Sequence, residues 1–140
     1  MQSLSNVKRG IIRRLQEEAG LELVAEQIYF DSLPQNCEYP ALLCSFPSKD
    51  SYTDLSGKRI GLASGTLVVI LFSEDNDQIE ELRESVELAL GGFIRNDTVN
   101  GVRFQGFALE ESQAGVWDEQ SQRWDALVSF SGHWSEEVPS

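Results

Sequence analysis

The stretch from Leu62 to Phe93 constrains the fold of this chain more than any other. Gly65-Thr66-Leu67-Val68-Val69-Ile70-Leu71-Phe72 is apolar at both parities and rich in β-branched side chains, the pattern of a strand buried on both faces. Ile79, Leu82, Val86, Leu90 and Phe93 then recur at steps of three and four, which places them in one stripe of a helix. Asp75 followed by Gln78 forms a capping-box pattern at the helix start, and Asp77 and Glu80 fall where the helix dipole favours negative charge. A strand that runs directly into a helix must pack that helix back on its own sheet.

The rest of the chain supplies the other layers. Leu4, Val7, Ile11, Leu15 and Ala19 share another helical stripe, with Ser3 placed as N-cap and Gly20 as terminator. A short strand is expected over Ala25 to Phe30, followed by a loop from Asp31 to Pro40. Tyr39-Pro40 leads into a second strand, Ala41 to Phe46, which Pro47 is expected to stop. Ser48 to Gly57 is polar and reads as a long exposed loop or hairpin arm, and connections of that length are often functional. The central strand spans Ile60 to Phe72, with a bend or bulge expected at Gly61 and Gly65.

Beyond the second helix, Asn100-Gly101 is a two-residue hairpin signal between Val99 and Val102. Gly106 shifts the alternation that follows and suggests a bulge. Glu110 to Gln122 is polar enough to read as a turn or short hairpin that exposes Trp117. The closing strand alternates Trp124, Ala126, Val128, Phe130, Gly132 and Trp134 with polar neighbours. The expected fold class is α+β: a mostly antiparallel twisted sheet of about 4–5 strands with two helices packed on one face. Residues 1–134 are expected to form one domain and residues 135–140 a flexible tail. Two helices cover one sheet face, yet the central strand is apolar on two. The second face therefore needs cover, from the sheet folding on itself or from a neighbouring subunit.

Composition excludes several functions. The 140 residues carry 11 basic and 23 acidic side chains, a formal charge of -12, which opposes tight nucleic-acid binding because the basic footprint is missing. The charge is unevenly spread. Lys8, Arg9, Arg13 and Arg14 lie in the first helix, while Glu74, Asp75, Asp77, Glu80, Glu81, Glu84 and Glu87 face only Arg83 in the second. Such helices can pair between subunits or be two solvated faces of one monomer. Cys37 and Cys44 are too few for a disulfide scaffold and read as free thiols of a reducing compartment. Neither a signal segment nor an apolar run of roughly 20 residues is present, so a cytoplasmic chain without membrane contact is expected.

No residue set carries a catalytic signature. His133 is the single histidine and falls on the polar parity of the last strand, as a surface residue would. Cys37 and Cys44 lack the spacing and the further ligands of a zinc site. Glu74, Asp75 and Asp77 lack the glycine and distal glutamate of an EF-hand loop, and helix capping accounts for them. Glu110-Glu111 and Asp118-Glu119 are solvated turn charges unless the fold sets them at a glycosidase spacing. Gly57, Gly61 and Gly65 precede a strand, not the helix N-terminus of a phosphate-binding loop. No cofactor, metal or enzymatic activity is expected.

The order of motifs carries a further reading. An N-terminal helix, Gln27-Ile28-Tyr29-Phe30, Leu33-Pro34-Gln35, Glu38-Tyr39-Pro40 entering an apolar strand, a polar arm, the strand Ser64 to Phe72, a helix ending near Phe93 and the aromatic strand Trp124 to Trp134 together resemble the tail-completion, or tail-terminator, family of tailed bacteriophages. The chain departs from that pattern at Phe30, where a proline is expected. The resemblance implies a structural virion protein of the tail or neck, assembled in the host cytoplasm. Such a protein forms a homo-oligomer, typically a hexameric ring. It caps the tail tube, ends tube growth and offers the head-tail joining surface, with the tail tube protein and a head-completion or neck protein as partners. DNA passes through the ring without specific binding. The candidate subunit or tube interface comprises Lys8, Arg9, Arg13 and Arg14 of the first helix, Lys49, Asp50, Tyr52, Asp54, Lys58 and Arg59 of the arm, Glu80 and Glu84 of the second helix, and Trp117. The rival readings are a small ligand-binding or regulatory module and, on charge alone, an acidic DNA mimic.

Overall fold

A computed structural model describes residues 6–53, 59–92, 95–99 and 102–136. Helix α1 (Asn6–Glu17) is followed by a 3₁₀ helix (Ala19–Val24) and by strands β1 (Ile28–Phe30), β2 (Ala41–Thr53) and β3 (Arg59–Ser73). Helix α2 (Asn76–Leu90) leads to strands β4 (Arg95–Val99), β5 (Val102–Asp118) and β6 (Arg123–Glu136). The strands form one six-stranded sheet in the order β1-β2-β3-β6-β5-β4. Every pairing is antiparallel except β1 with β2. The fold is therefore α+β with a mostly antiparallel sheet, as expected, and has one strand more than the four to five anticipated. The extra strand escapes notice because Arg95-Asn96-Asp97-Thr98-Val99 has no apolar alternation.

Both helices pack on one sheet face. α1 buries Val7, Ile11 and Leu15, and α2 buries Ile79, Leu82, Val86 and Leu90 against β3, β5 and β6. The sheet answers with Leu67, Val69 and Leu71 of β3 and Val128, Phe130 and Trp134 of β6, all fully buried. Gly10 of α1 lies so close to the Phe104 ring that a Cβ there would meet it at 2.5 Å. Gly20 does not end α1. The helix stops at Glu17 and the chain continues into the 3₁₀ helix, where a Cβ on Gly20 would stand 2.2 Å from Ser85 Oγ. That glycine serves close approach to α2, which buries Leu21 and Val24.

Four expected strand ends are corrected by pairing. β1 starts only at Ile28. Pro47 does not stop β2, which runs on to Thr53 with its register against β3 slipping between Ser45 and Ser48. β1 pairs with β2 only as far as Cys44, so Pro47 sits at an irregular site on a free edge, where a missing N–H breaks no ladder. The segment from Glu110 is mostly strand, with the turn confined to residues 119–122: β5 continues to Asp118 against β6, with slips at Leu109/Glu111 and Gln113/Val116 that break the period-two signal. β6 likewise extends past Trp134 to Glu136.

The bulge expected at Gly106 is present, with its φ at 146° and a register shift from Phe104. Gly61 lies in the irregular stretch opposite Ser51 and Thr53, whereas Gly65 is in regular register with Lys49 and Gly132. Asp75 caps α2 by accepting the Asp77 amide at 3.0 Å. The capping box is relayed. Asp75 N–H donates to Ser73 Oγ at 3.0 Å, and that hydroxyl donates to Gln78 Oε1 at 2.7 Å. Ser3, Phe93, the Asn100-Gly101 turn, Asp54, Lys58 and residues 137–140 lie outside the described residues.

Candidate assembly surface

Alternation along β3 separates the two sheet faces. Leu67, Val69 and Leu71 point under the helices, while Val68 and Ile70 between them are half-buried on the other side. Among the described residues, no helix and no second sheet lies on that other face. Its rows follow from the strand register. Leu43, Ile70, Leu127 and Gln113 stand side by side, then Ser45, Val68, Ser129 and Glu111, then Thr66, Ser131 and Ala108.

Across β2, β3 and β6 these rows contain no charged residue, in a chain whose composition is 24% charged. A solvated antiparallel face ordinarily carries charged residues at such positions. Near its β5 margin the face dips into an open depression of about 240 Å³ lined by Ile70, Gln113, Val116 and Leu127, with Val116 68% exposed.

One end of this face is closed by a cluster that the sequence does not announce. The Arg123 guanidinium lies 4.1 Å from the centre of the Phe72 ring and donates to Tyr39 Oη at 2.5 Å and to Asp125 Oδ1 at 3.0 Å. Burial works against the Arg123 charge, but the bonds to Tyr39 and Asp125 outweigh it and raise the pKa. Burial also raises the Asp125 pKa, with Arg123 opposing. Tyr39 and Arg123 are 84 residues apart, so no local spacing could have brought them together.

The arm is the far end of the β2–β3 hairpin. Lys49, Asp50 and Tyr52 lie in β2, and Arg59 opens β3 opposite Thr53. The basic residues of α1 are largely engaged within the chain. Lys8 pairs with Asp31 at 2.5 Å, Arg13 with Glu17 at 3.5 Å and Arg14 with Glu18 at 3.0 Å, while Arg9 is exposed. On α2, Glu84 is exposed, whereas Glu80 accepts the Gly115 amide at 3.0 Å and also pairs with Arg83. Those bonds, the Gly115 amide first, hold its carboxyl below the usual range. Trp117 is 39% exposed and stands edge-on to Trp124 at 5.5 Å, on the helix side and away from the uncharged face. Among the described residues, those expected at the interface thus lie on four separate elements: α1, the β2–β3 hairpin, α2 and the end of β5.

Chemistry is sparse around these surfaces. Among the described residues, no three His, Cys, Asp or Glu side chains are grouped to hold a metal, and no helix is long and apolar enough to cross a membrane. Both thiols are free: Cys44 is buried and its pKa is pushed up to about 12, and burial also raises that of half-buried Cys37. The depression on α2, about 390 Å³, is lined by Glu80, Glu81, Arg83, Glu84 and Glu87, unlike the apolar walls of small-molecule sites.

No family model and no curated protein matches the chain. A solved structure does. The chain is similar in fold to a protein of the structure titled "Virion of native gene transfer agent (GTA) particle", with a TM-score of 0.65 and 16% identity, over 92% of this chain and 94% of that one.

Proposed function

We propose that this protein is a structural component of a phage-like virion and acts as a tail terminator: it assembles as a ring of about six copies on the tail tube, ends tube growth and presents the surface that joins the head. The observation that carries this reading is the one-sided sheet, whose uncovered face has no charged residue in its middle rows across β2, β3 and β6 and whose β2–β3 hairpin runs on to Thr53 and Arg59. The likeness to a virion-particle protein over nearly the full length of both chains supports it. A formal charge of -12 per copy suits a ring through which DNA passes without being held. The arm, with Lys49 and Arg59, is assigned to the tube.

Negative-stain electron microscopy of the chain mixed with tail tubes of the same particle tests the assignment. Rings at one tube end, with tubes of uniform length only when the chain is present, are expected. Tubes that never acquire a ring and lengthen regardless would overturn it.

A further inference from the structure

Among the described residues, the two edges of the sheet are incomplete in a complementary way. In one row across the sheet, Tyr29 of β1 pairs with Leu43, Leu43 with Ile70, Ile70 with Leu127 and Leu127 with Gln113 of β5. At that level β4 is absent and β5 is the edge. In a second row, nearer the arm, Ser51 of β2 pairs with Ala63, Ala63 with Trp134, Trp134 with Phe104 and Phe104 with Arg95 of β4. There β1 is absent and β2 is the edge. Each side of the sheet therefore carries a short strand at one level and a gap at the other.

We propose that copies of this chain join edge to edge through these gaps: β1 of one copy enters the gap beside β5 of the next, and β4 of that copy enters the gap beside β2 of the first. The strand directions permit it. β2, β6, β1 and β4 run one way and β3 and β5 the other, so β1 meets β5 antiparallel and β4 meets β2 parallel, both allowed pairings. The two short strands, Ile28–Phe30 and Arg95–Val99, become collinear and share one position in a continuous sheet.

Backbone accounting favours this occupant. An unpaired edge leaves a row of amide and carbonyl groups without ladder partners. The Gly115 amide is taken by Glu80 and the Phe107 carbonyl by Gly92 N–H, and Pro47 and the slips in β5 disfavour a long unrelated strand. A short strand still fits. At the contact row the facing residues, Tyr29 and Gln113, are uncharged, which matters between copies that each carry -12. The contact is heterologous, and a heterologous contact closes into a ring when its rotation divides the circle.

This inference rests on the ring reading and adds its geometry. The helices face outward and the opposite sheet face, with its uncharged middle rows across β2, β3 and β6, lines the channel. With β2, β3, β6, β5 and the shared position counted once, about six copies at a strand spacing of about 4.8 Å give a closed sheet roughly 45 Å across between backbones, wide enough to leave an open channel.

The test uses paired cysteines on a Cys37→Ser background. Tyr29→Cys and Gln113→Cys lie on the same face and at the same level, so juxtaposed edges bring them within disulfide reach. Under mild oxidation of the assembled double variant, a ladder of covalent oligomers carrying 29–113 bridges is expected, with neither single variant extending past dimers. The unaltered chain gives a second readout: amide exchange in β5 should slow by roughly tenfold or more on assembly. Oligomers seen by light scattering that form no 29–113 bridge and leave β5 exchange unchanged overturn the edge contact and leave the ring reading standing. A chain that stays monomeric with and without tail tubes overturns both.

Discussion

The Glu80 carboxylate accepts the backbone amide of Gly115 at 3.0 Å, which ties the first turns of α2 to the irregular stretch of β5. The same carboxylate takes Arg83 Nε at 3.0 Å. Both bonds favour the ionised form, and the folded-state pKa is depressed. A carboxyl whose pKa is lower in the folded state adds stability above its unfolded value, about 4.3, and that stability is lost as pH falls through the folded value. Glu80→Gln should cost about 1 kcal/mol at pH 7, the low end for a charge-assisted bond, because the side chain is 36% exposed. In urea unfolding the gap between parent and variant should close as pH falls below about 4.

Gly132 of β6 is occupied from above by an aromatic ring. A Cβ there would stand 2.2 Å from Phe107, whose ring is stacked on Trp134 at 6.1 Å and meets Phe104 at 6.1 Å. The ring cannot move without displacing both neighbours. Gly132→Ala should therefore destabilise by about 1–3 kcal/mol through overpacking. Thermal unfolding checks it, and a midpoint equal to that of the parent would show that the three rings are not packed as described.

These two contacts show where sequence reading succeeds and where it stops. The β3–α2 unit was legible because its signals are local: β-branched density, a three-four stripe, and Asp75 at the cap. The double-sided apolar pattern of β3 also announced a second face in need of cover, and among the described residues the sheet does not fold on itself to supply it. The length of β5 was not legible, because its residues from Glu110 onward are polar and irregular and become a strand only through pairing with β6. The same holds for β2 beyond Pro47. The Arg123 cluster depends on partners distant in the chain, as does the match between the two sheet edges, which is a property of register and leaves no mark in composition.

Cys44 offers a probe of the core from the alkaline side. It is fully buried beneath the sheet, and burial, reinforced by Asp31, raises its pKa from 9.0 to about 12. A raised folded-state value means that its contribution to stability is complete below the unfolded pKa and is lost as pH climbs towards the folded one. Cys44→Val removes the titration while nearly conserving volume. The stability of the parent relative to this variant should be constant below pH 8 and fall between about pH 9 and 12. Reaction of Cys44 with a thiol reagent at neutral pH should require unfolding, and Cys37, half-buried, should react first.

Arg123 separates charge from shape. Its guanidinium stacks on Phe72 at 4.1 Å, and its side chain is 19% exposed. Lysine would keep the charge but lose the planar stack and the fork that reaches Tyr39 and Asp125 together. Arg123→Lys should then cost about 1 kcal/mol and Arg123→Ala about 2–3 kcal/mol at pH 7. The difference should depend on pH in a definite direction. Asp125 has a pKa already raised by burial, with Arg123 as the opposing influence, so removing the guanidinium raises it further. An acid whose folded value is raised loses stability as pH rises from the unfolded value through the folded one. Arg123→Ala should consequently be less damaging at pH 4 than at pH 7, while Arg123→Lys, which retains a cation beside Asp125, should change less. Unfolding curves at the two pH values decide the matter, and equal penalties at both would show that Asp125 does not depend on Arg123.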